Sequence, residues 1–258
     1  MTRIGASFES LAGKGKKAFI AFVTAGDPSL DRTVEIAAEL EEAGVDILEL
    51  GVPFSDPLAD GPVIQRASER ALGRGTTLVS VLEAVRRVRA RSDLPLLLFS
   101  YMNPLLRYGL DRLAADAASS GVDGVLVTDL PPEEGGEWIA CARRVGLDTV
   151  FLAAPTSPEA RLKRVADSSR GFVYAVSRTG VTGERDAISG DAAGVVGRLK
   201  ALTSTPVALG FGISTPGQVR AAAEVADGVV VGSAIVRFLE ETPAGDLGAM
   251  VRRLRGGM

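Results

Sequence analysis

The sequence predicts a (β/α)8 barrel with a short extra helix ahead of its first strand. Three observations predict it. Eight short apolar runs recur along the 258 residues, close to the usual length of such a barrel. They are continuous rather than alternating, as strands buried on both faces of a parallel sheet require. Amphipathic stretches of helical period separate them. A doubly wound sheet fits less well, because no GxGxxG follows the first run.

In order, residues 7–11 read as a short helix, and the strands follow at 18–24, 47–51, 96–101, 124–128, 149–153, 172–176, 207–210 and 228–231. The helical patterns between them include LDRTVEIAAELEEAG, TLVSVLEAVRRVRA, LDRLAADAASSG, EARLKRVADSSRG and GVVGRLKAL. Several end in glycine, whose freedom at positive φ makes it the common helix stop. No linker, shift in composition or low-complexity segment divides the chain, so residues 1–258 are expected to form one barrel domain.

Composition removes whole classes of chemistry. The chain has no histidine, which excludes His general bases, His-based triads and His-ligated metals. No metal site is expected. Its one cysteine, Cys141, lies in the helical pattern WIACARRV and reads as a buried thiol. The formal net charge of −3 does not suit phosphate neutralisation on a nucleic acid. No apolar run approaches the ~20 residues that span a bilayer. Lys14, Lys16 and Lys17 before AFIAFVTAG imitate a secretion signal, but the run serves as a first strand, and the expected location is the cytoplasm.

The stretch 48–65, LELGVPFSDPLADGPVIQ, holds the best chemical candidate. On a strand of period two, Ile47, Glu49 and Gly51 share one face and Leu48 and Leu50 the other. If helices cover the leucines, Glu49 points into the barrel. A carboxylate there is costly unless paired or used. The loop behind it adds Asp56 and Asp60, and Pro62 is preset for the first turn of the next helix. Two carboxylates in different surroundings can take different roles, one holding a proton and one staying ionised. The plainer alternatives are a satisfied structural Glu49, and turn-forming or capping roles for Asp56 and Asp60.

Three glycine-rich segments follow the last three strands: SRTGVTGER at 177–185, GFGIST at 210–215 and GSA at 232–234. Backbone N–H groups exposed by glycine at a helix N-terminus bind phosphate, and barrels commonly place such a site after their seventh and eighth strands. Phe22, Phe99, Tyr101, Leu126, Tyr174 and Phe211 also fall near strand ends. The residues alone thus point to a phosphate-ester enzyme working by carboxylate acid–base chemistry, with room for an aromatic ring.

The segments 19–27 (FIAFVTAGD), 49–65 (ELGVPFSDPLADGPVIQ), 101–104 (YMNP), 129–131 (DLP), 177–183 (SRTGVTG), 210–214 (GFGIS) and 231–235 (VGSAI) together resemble the tryptophan synthase alpha subunit family, in order and over the whole chain. The resemblance implies cleavage of indole-3-glycerol phosphate to indole and glyceraldehyde 3-phosphate. It implies no cofactor in this chain, and a pyridoxal-phosphate beta subunit that joins indole to serine in an alpha2beta2 assembly. By resemblance, Glu49 is the proton-transfer carboxylate and Asp60 the partner of the indole N–H. Phe22, Phe99, Leu126, Tyr174 and Phe211 line the substrate, and Thr182 closes toward Asp60. Gly183, Gly212, Gly232 and Ser233 hold the phosphate. Pro53, Phe54, Asp56 and Asn103 meet the partner, with Phe54 expected to be exposed and without a core role. The loops 53–62 and 179–187 are expected to act as lids. Rival readings are a stand-alone lyase releasing free indole, a phosphosugar isomerase or epimerase, and a binding subunit that only activates a partner.

Overall fold

The computed structural model describes residues 2–177 and 190–258. Its parallel strands are β1 (Ala18–Thr24), β2 (Ile47–Gly51), β3 (Leu96–Ser100), β4 (Gly124–Val127), β5 (Asp148–Val150), β6 (Leu152–Ala153), β7 (Val173–Val176), β8 (Val207–Gly210) and β9 (Gly228–Val231). They form one sheet in the order β5-β4-β3-β2-β1-β9-β8-β7-β6. Its two edge strands, β5 and β6, are consecutive in the chain and separated by Phe151 alone. The strip therefore closes on itself, and β5 with β6 stands for the fifth strand of a (β/α)8 barrel. The break has a visible cause. The Phe151 N–H donates to Ser169 Oγ at 3.3 Å instead of to a neighbouring strand.

The period-two reading of the strands sorts the core into two layers. Phe19, Ala21 and Val23 of β1, Leu48 and Leu50 of β2, and Leu96 and Leu98 of β3 face outward into the helical shell. Ile20, Phe22, Ile47, Leu97, Phe99, Leu126, Tyr174, Ala208 and Val230 fill the interior. Leu48 and Leu50 are fully buried, so truncating either to alanine would cost about 2–5 kcal/mol.

The bottom of the barrel is closed by α1 (Arg3–Gly13), longer than the 7–11 expected because Thr2 caps it, accepting the Gly5 N–H at 3.3 Å. Its Ile4, Phe8 and Leu11 join the interior cluster, with Phe8 and Phe172 ring centroids 5.7 Å apart. At the same end, aspartates that open strands accept a backbone N–H from the neighbouring strand. Asp46 takes the N–H of Phe19 at 2.8 Å, Asp123 that of Leu96 at 2.9 Å and Asp227 that of Val207 at 3.0 Å. Two of them sit in a repeated Gly-Val-Asp, Gly44–Val45–Asp46 and Gly121–Val122–Asp123, with the glycine at φ +90° and +95° ending a helix. This face carries stability rather than chemistry.

At the opposite end, α3 (Pro62–Gly73) follows the loop after β2, α5 (Met102–Tyr108) follows β3, α10 (Pro216–Val225) follows β8 and α11 (Ser233–Glu241) follows β9. Strand β3 stops one residue short of expectation because Tyr101 is already the N-cap of α5. Ala67 of α3, with Val63 and Ile64 beside it, packs into the interior cluster, so α3 leans over the barrel mouth. Arg70 holds it there, pairing with Asp27 at 2.6 Å and with Glu240 of α11 at 2.7 Å.

Candidate active site

Glu49 stands in the middle of β2 between Phe22 of β1 and Leu97 of β3. It is 1% exposed. Neither carboxylate oxygen has a hydrogen-bond partner among the described residues. Burial alone pushes its pKa up to about 8, because an ionised carboxylate loses its hydration there and gains no compensating charge. At neutral pH this side chain holds a proton.

Asp60 is carried in by the loop after β2. A turn shapes the loop, the Asp60 N–H donating to the Pro57 carbonyl at 3.0 Å. Gln65 of α3 donates to the Asp60 carbonyl at 2.8 Å. One carboxylate oxygen accepts the Tyr101 hydroxyl at 3.0 Å, and the other is buried without a partner among the described residues. Burial raises its pKa, the Tyr101 hydrogen bond opposes the rise, and the result is about 6. Asp60 therefore gives up its proton at lower pH than Glu49. The two carboxylates are thus held in opposite protonation states by their surroundings.

A further oxygen without a partner among the described residues belongs to Thr24, 4% exposed at the end of β1 and paired in register with Gly51. Sequence reasoning missed it. The signal was the period-two step from Phe22, which puts residue 24 on the interior face.

The aromatic residues form the walls. Phe22 and Phe99 meet edge to face with centroids 5.1 Å apart, and Leu126 pairs in register with Phe99. Tyr174 lies edge to face with Phe211 at 5.4 Å. Its phenol is pushed well above the ordinary range by burial and then by the charges of Glu49 and Asp60, while its oxygen takes the Phe211 backbone N–H. Glycine makes the close approaches possible, since a Cβ on Gly210 would fall 2.2 Å from the Tyr174 hydroxyl.

Gly212 and Gly232 follow the adjacent strands β8 and β9. Phe211 and Gly212 run through positive φ, +67° and +82°, and a Cβ on Gly212 would meet nothing within 4 Å. The helices behind them differ in their caps. The first turn of α10 is closed by a capping box between Thr215 and Gln218, whereas α11 starts at Gly232 and Ser233 with no side-chain cap. Its first N–H groups and its positive dipole end remain available to an anion. Thr182 and Gly183 lie outside the described residues.

On the outer side of the mouth, Pro53 is buried, Asp56 and Asn103 are exposed, and Phe54 is half-buried. Phe54 was expected to be exposed and without a core role; it belongs to neither core cluster but is half-buried, its ring on Tyr101 with centroids 5.2 Å apart. The exposed apolar residues here are Leu58, 95% exposed, and Leu106 of α5, 56% exposed. A leucine inside the turn sequence SDPLADG could have been read as one held outside. Among the described residues no group of His, Cys, Asp and Glu side chains could hold a metal ion.

Fold and site are those of a barrel enzyme of the lyase type, with one buried carboxylate that keeps its proton and a second that ionises more readily. Comparison with known proteins narrows this. The family profile for the tryptophan synthase alpha chain matches residues 8–254. The chain is 56% identical over 241 residues to the tryptophan synthase alpha chain of Solibacter usitatus, covering 93% of this chain and 90% of that one. It is 53% identical over 251 residues to that of Geobacter sulfurreducens, covering 97% and 95%. A crystal structure of tryptophan synthase from M. tuberculosis in an open form superposes with a TM-score of 0.91 at 38% identity, covering 100% of this chain and 98% of that one. An aminoacrylate-bound form of the same enzyme superposes with a TM-score of 0.90. The chain belongs to the tryptophan synthase alpha chain family. Its reaction is the cleavage of indole-3-glycerol phosphate, it carries no cofactor of its own, and its partner is the pyridoxal-phosphate beta subunit.

Proposed function

We propose that Glu49 and Asp60 carry this cleavage between them. Glu49, neutral at pH 7, gives its proton to C3 of the indole ring. Asp60, ionised, accepts the indole N–H and stabilises the positive charge that develops on the nitrogen. The Glu49 carboxylate so formed takes the proton of the glycerol hydroxyl as the carbon–carbon bond breaks. Indole and glyceraldehyde 3-phosphate leave, and Glu49 is protonated again. The proton count closes without any other donor. Phe22, Phe99, Leu126 and Phe211 pack the ring, Tyr174 sits beside the glycerol chain, and the N–H groups of Gly212, Gly232 and Ser233 hold the phosphate, with Gly183 and Thr182 assigned by resemblance.

The observation that carries this reading is the buried, unpartnered Glu49 carboxyl, held at a pKa of about 8. Structural carboxylates inside proteins are normally paired. Glu49→Gln keeps the shape and removes the titrating proton. Its indole release should fall nearly to zero while substrate binding, measured by calorimetry, persists. Retention of more than about a tenth of wild-type cleavage, a loss under 1.4 kcal/mol, overturns the role. We further infer an alpha2beta2 assembly in the cytoplasm. The beta subunit would dock over the mouth through Pro53, Phe54, Asp56 and Asn103, joined by Leu58 and Leu106. No helix among the described residues is long and apolar enough to cross a membrane.

A further inference from the structure

The Tyr101 hydroxyl, which also meets the Thr128 side chain, hydrogen-bonds two consecutive residues of one loop. It donates to Asp60 Oδ2 at 3.0 Å and accepts the Ala59 N–H at 3.0 Å. Its ring adds a third contact to the same loop through Phe54. The other hydrogen bonds of residues 56–61 are local among the described residues, running within the loop or to Gln65. Tyr101 itself is 4% exposed and anchored at the junction of β3 and α5. The α5 N-terminus is in turn tied to the turn after β4, where Asp129 accepts the Met102 N–H at 2.7 Å. The turn that carries Asp60 is thus fastened at that residue to the junction of β3 and α5.

We propose that Tyr101 is a positioning residue that latches the Asp60 loop onto the barrel and keeps the Asp60 carboxylate aimed and ionised for the substrate N–H. This rests on the assignment of Asp60 made above. A phenol is suited to the task. One oxygen serves as donor to the carboxylate and acceptor for the backbone, so loop shape and carboxylate rotamer are set together. The ionisable groups facing Asp60 among the described residues are Tyr101 and, more distantly, Tyr174, which also faces Glu49. None is a cation, so the Tyr101 hydroxyl is the group that favours the ionised form. Hydrogen bonds to charged groups are the strong ones. Removing this one should raise the pKa of Asp60.

The test is Tyr101→Phe, which keeps the ring and its contact with Phe54. Indole release by the intact alpha–beta complex is followed across pH, alone and in the Asp60→Asn background. Expected is a loss of about tenfold or more in kcat/KM, with the acid limb of the pH profile moved to higher pH. In Asp60→Asn, which has already lost the carboxylate, the added Tyr101→Phe change should cost little, because contacting residues that act as a unit are not additive. Phe54→Leu, which spares the hydroxyl, should leave the acid limb in place. If Tyr101→Phe leaves the acid limb unmoved, or costs the same factor in both backgrounds, the latch is wrong and the Asp60 assignment is untouched. If Asp60→Asn retains full activity, the underlying site assignment is what fails. Thermal melts of each variant separate loss of fold from loss of position.

Discussion

The ring of Phe22 stands where a side chain on Gly51 would have to go: a Cβ built on Gly51 lies 2.5 Å from Phe22 Cζ. Gly51 is two residues from Glu49 on the same interior face, so the missing side chain lets an aromatic wall close over the reactive strand. Gly51→Ala should displace the Phe22 ring and destabilise the fold by about 1–3 kcal/mol, the usual cost of overpacking. It should also raise KM. Phe22→Leu in the same chain should restore part of the stability, which paired thermal melts would show.

The two carboxylates set a pH window for cleavage. Activity needs Asp60 ionised, which is lost as pH falls through about 6, and Glu49 protonated, which is lost as pH rises through about 8. The kcat/KM profile should therefore be bell-shaped with its plateau between those values. Stability should follow Glu49 separately. In the unfolded chain it ionises near its ordinary value of 4.5, but when folded it keeps its proton to about 8. Between those values the folded state binds more protons. Stability then declines with rising pH by about 1.4 kcal/mol per unit from this group. Glu49→Gln removes that slope, so its melting temperature should gain on the wild type at pH 8 and not at pH 4.

The far end of the barrel should behave oppositely. Asp123, 5% exposed, accepts the Leu96 N–H and pairs with Arg89 at 3.0 Å and with Arg3 at 3.2 Å. Asp123→Ala strands a partly buried guanidinium and a strand N–H. Urea unfolding should show a loss of about 3 kcal/mol, with kcat unchanged under conditions where the protein remains folded.

A charge placed on α5 should be felt only in the complex. Leu106→Asp exchanges an exposed apolar side chain for a carboxylate on the face assigned to the partner. Indole release by the isolated chain should stay within twofold of wild type, while stimulation by the beta subunit should fall by about tenfold or more, in the range typical of coupling between sites. Equal stimulation of both proteins would place the interface elsewhere.

Much of this was legible in the chain itself. Alternation within ILELG already separates Glu49 from its leucine neighbours, and the tertiary structure keeps that separation, with leucines in the helical shell and Glu49 inside. A helix-start signal was readable too: Pro62 opens α3, where its fixed φ suits the first turn. Strand ends were less legible, since an N-cap such as Tyr101 looks like the last residue of a strand until the helix after it is placed.

The sequence by itself determined the barrel, its family and the two carboxylates proposed for the chemistry, because period, turn chemistry and residue type are local properties that each residue carries wherever it stands. Only the tertiary structure decided their protonation states. Glu49 holds its proton because strands from distant parts of the chain exclude water around it and offer no partner. Asp60 stays largely ionised because Tyr101, far along the chain, reaches its carboxylate. The same holds for Phe54, drawn into contact by Tyr101, and for Leu58, left outside by the turn that presents Asp60. Desolvation and long-range hydrogen bonds depend on what surrounds a group in space, and no window of sequence contains that.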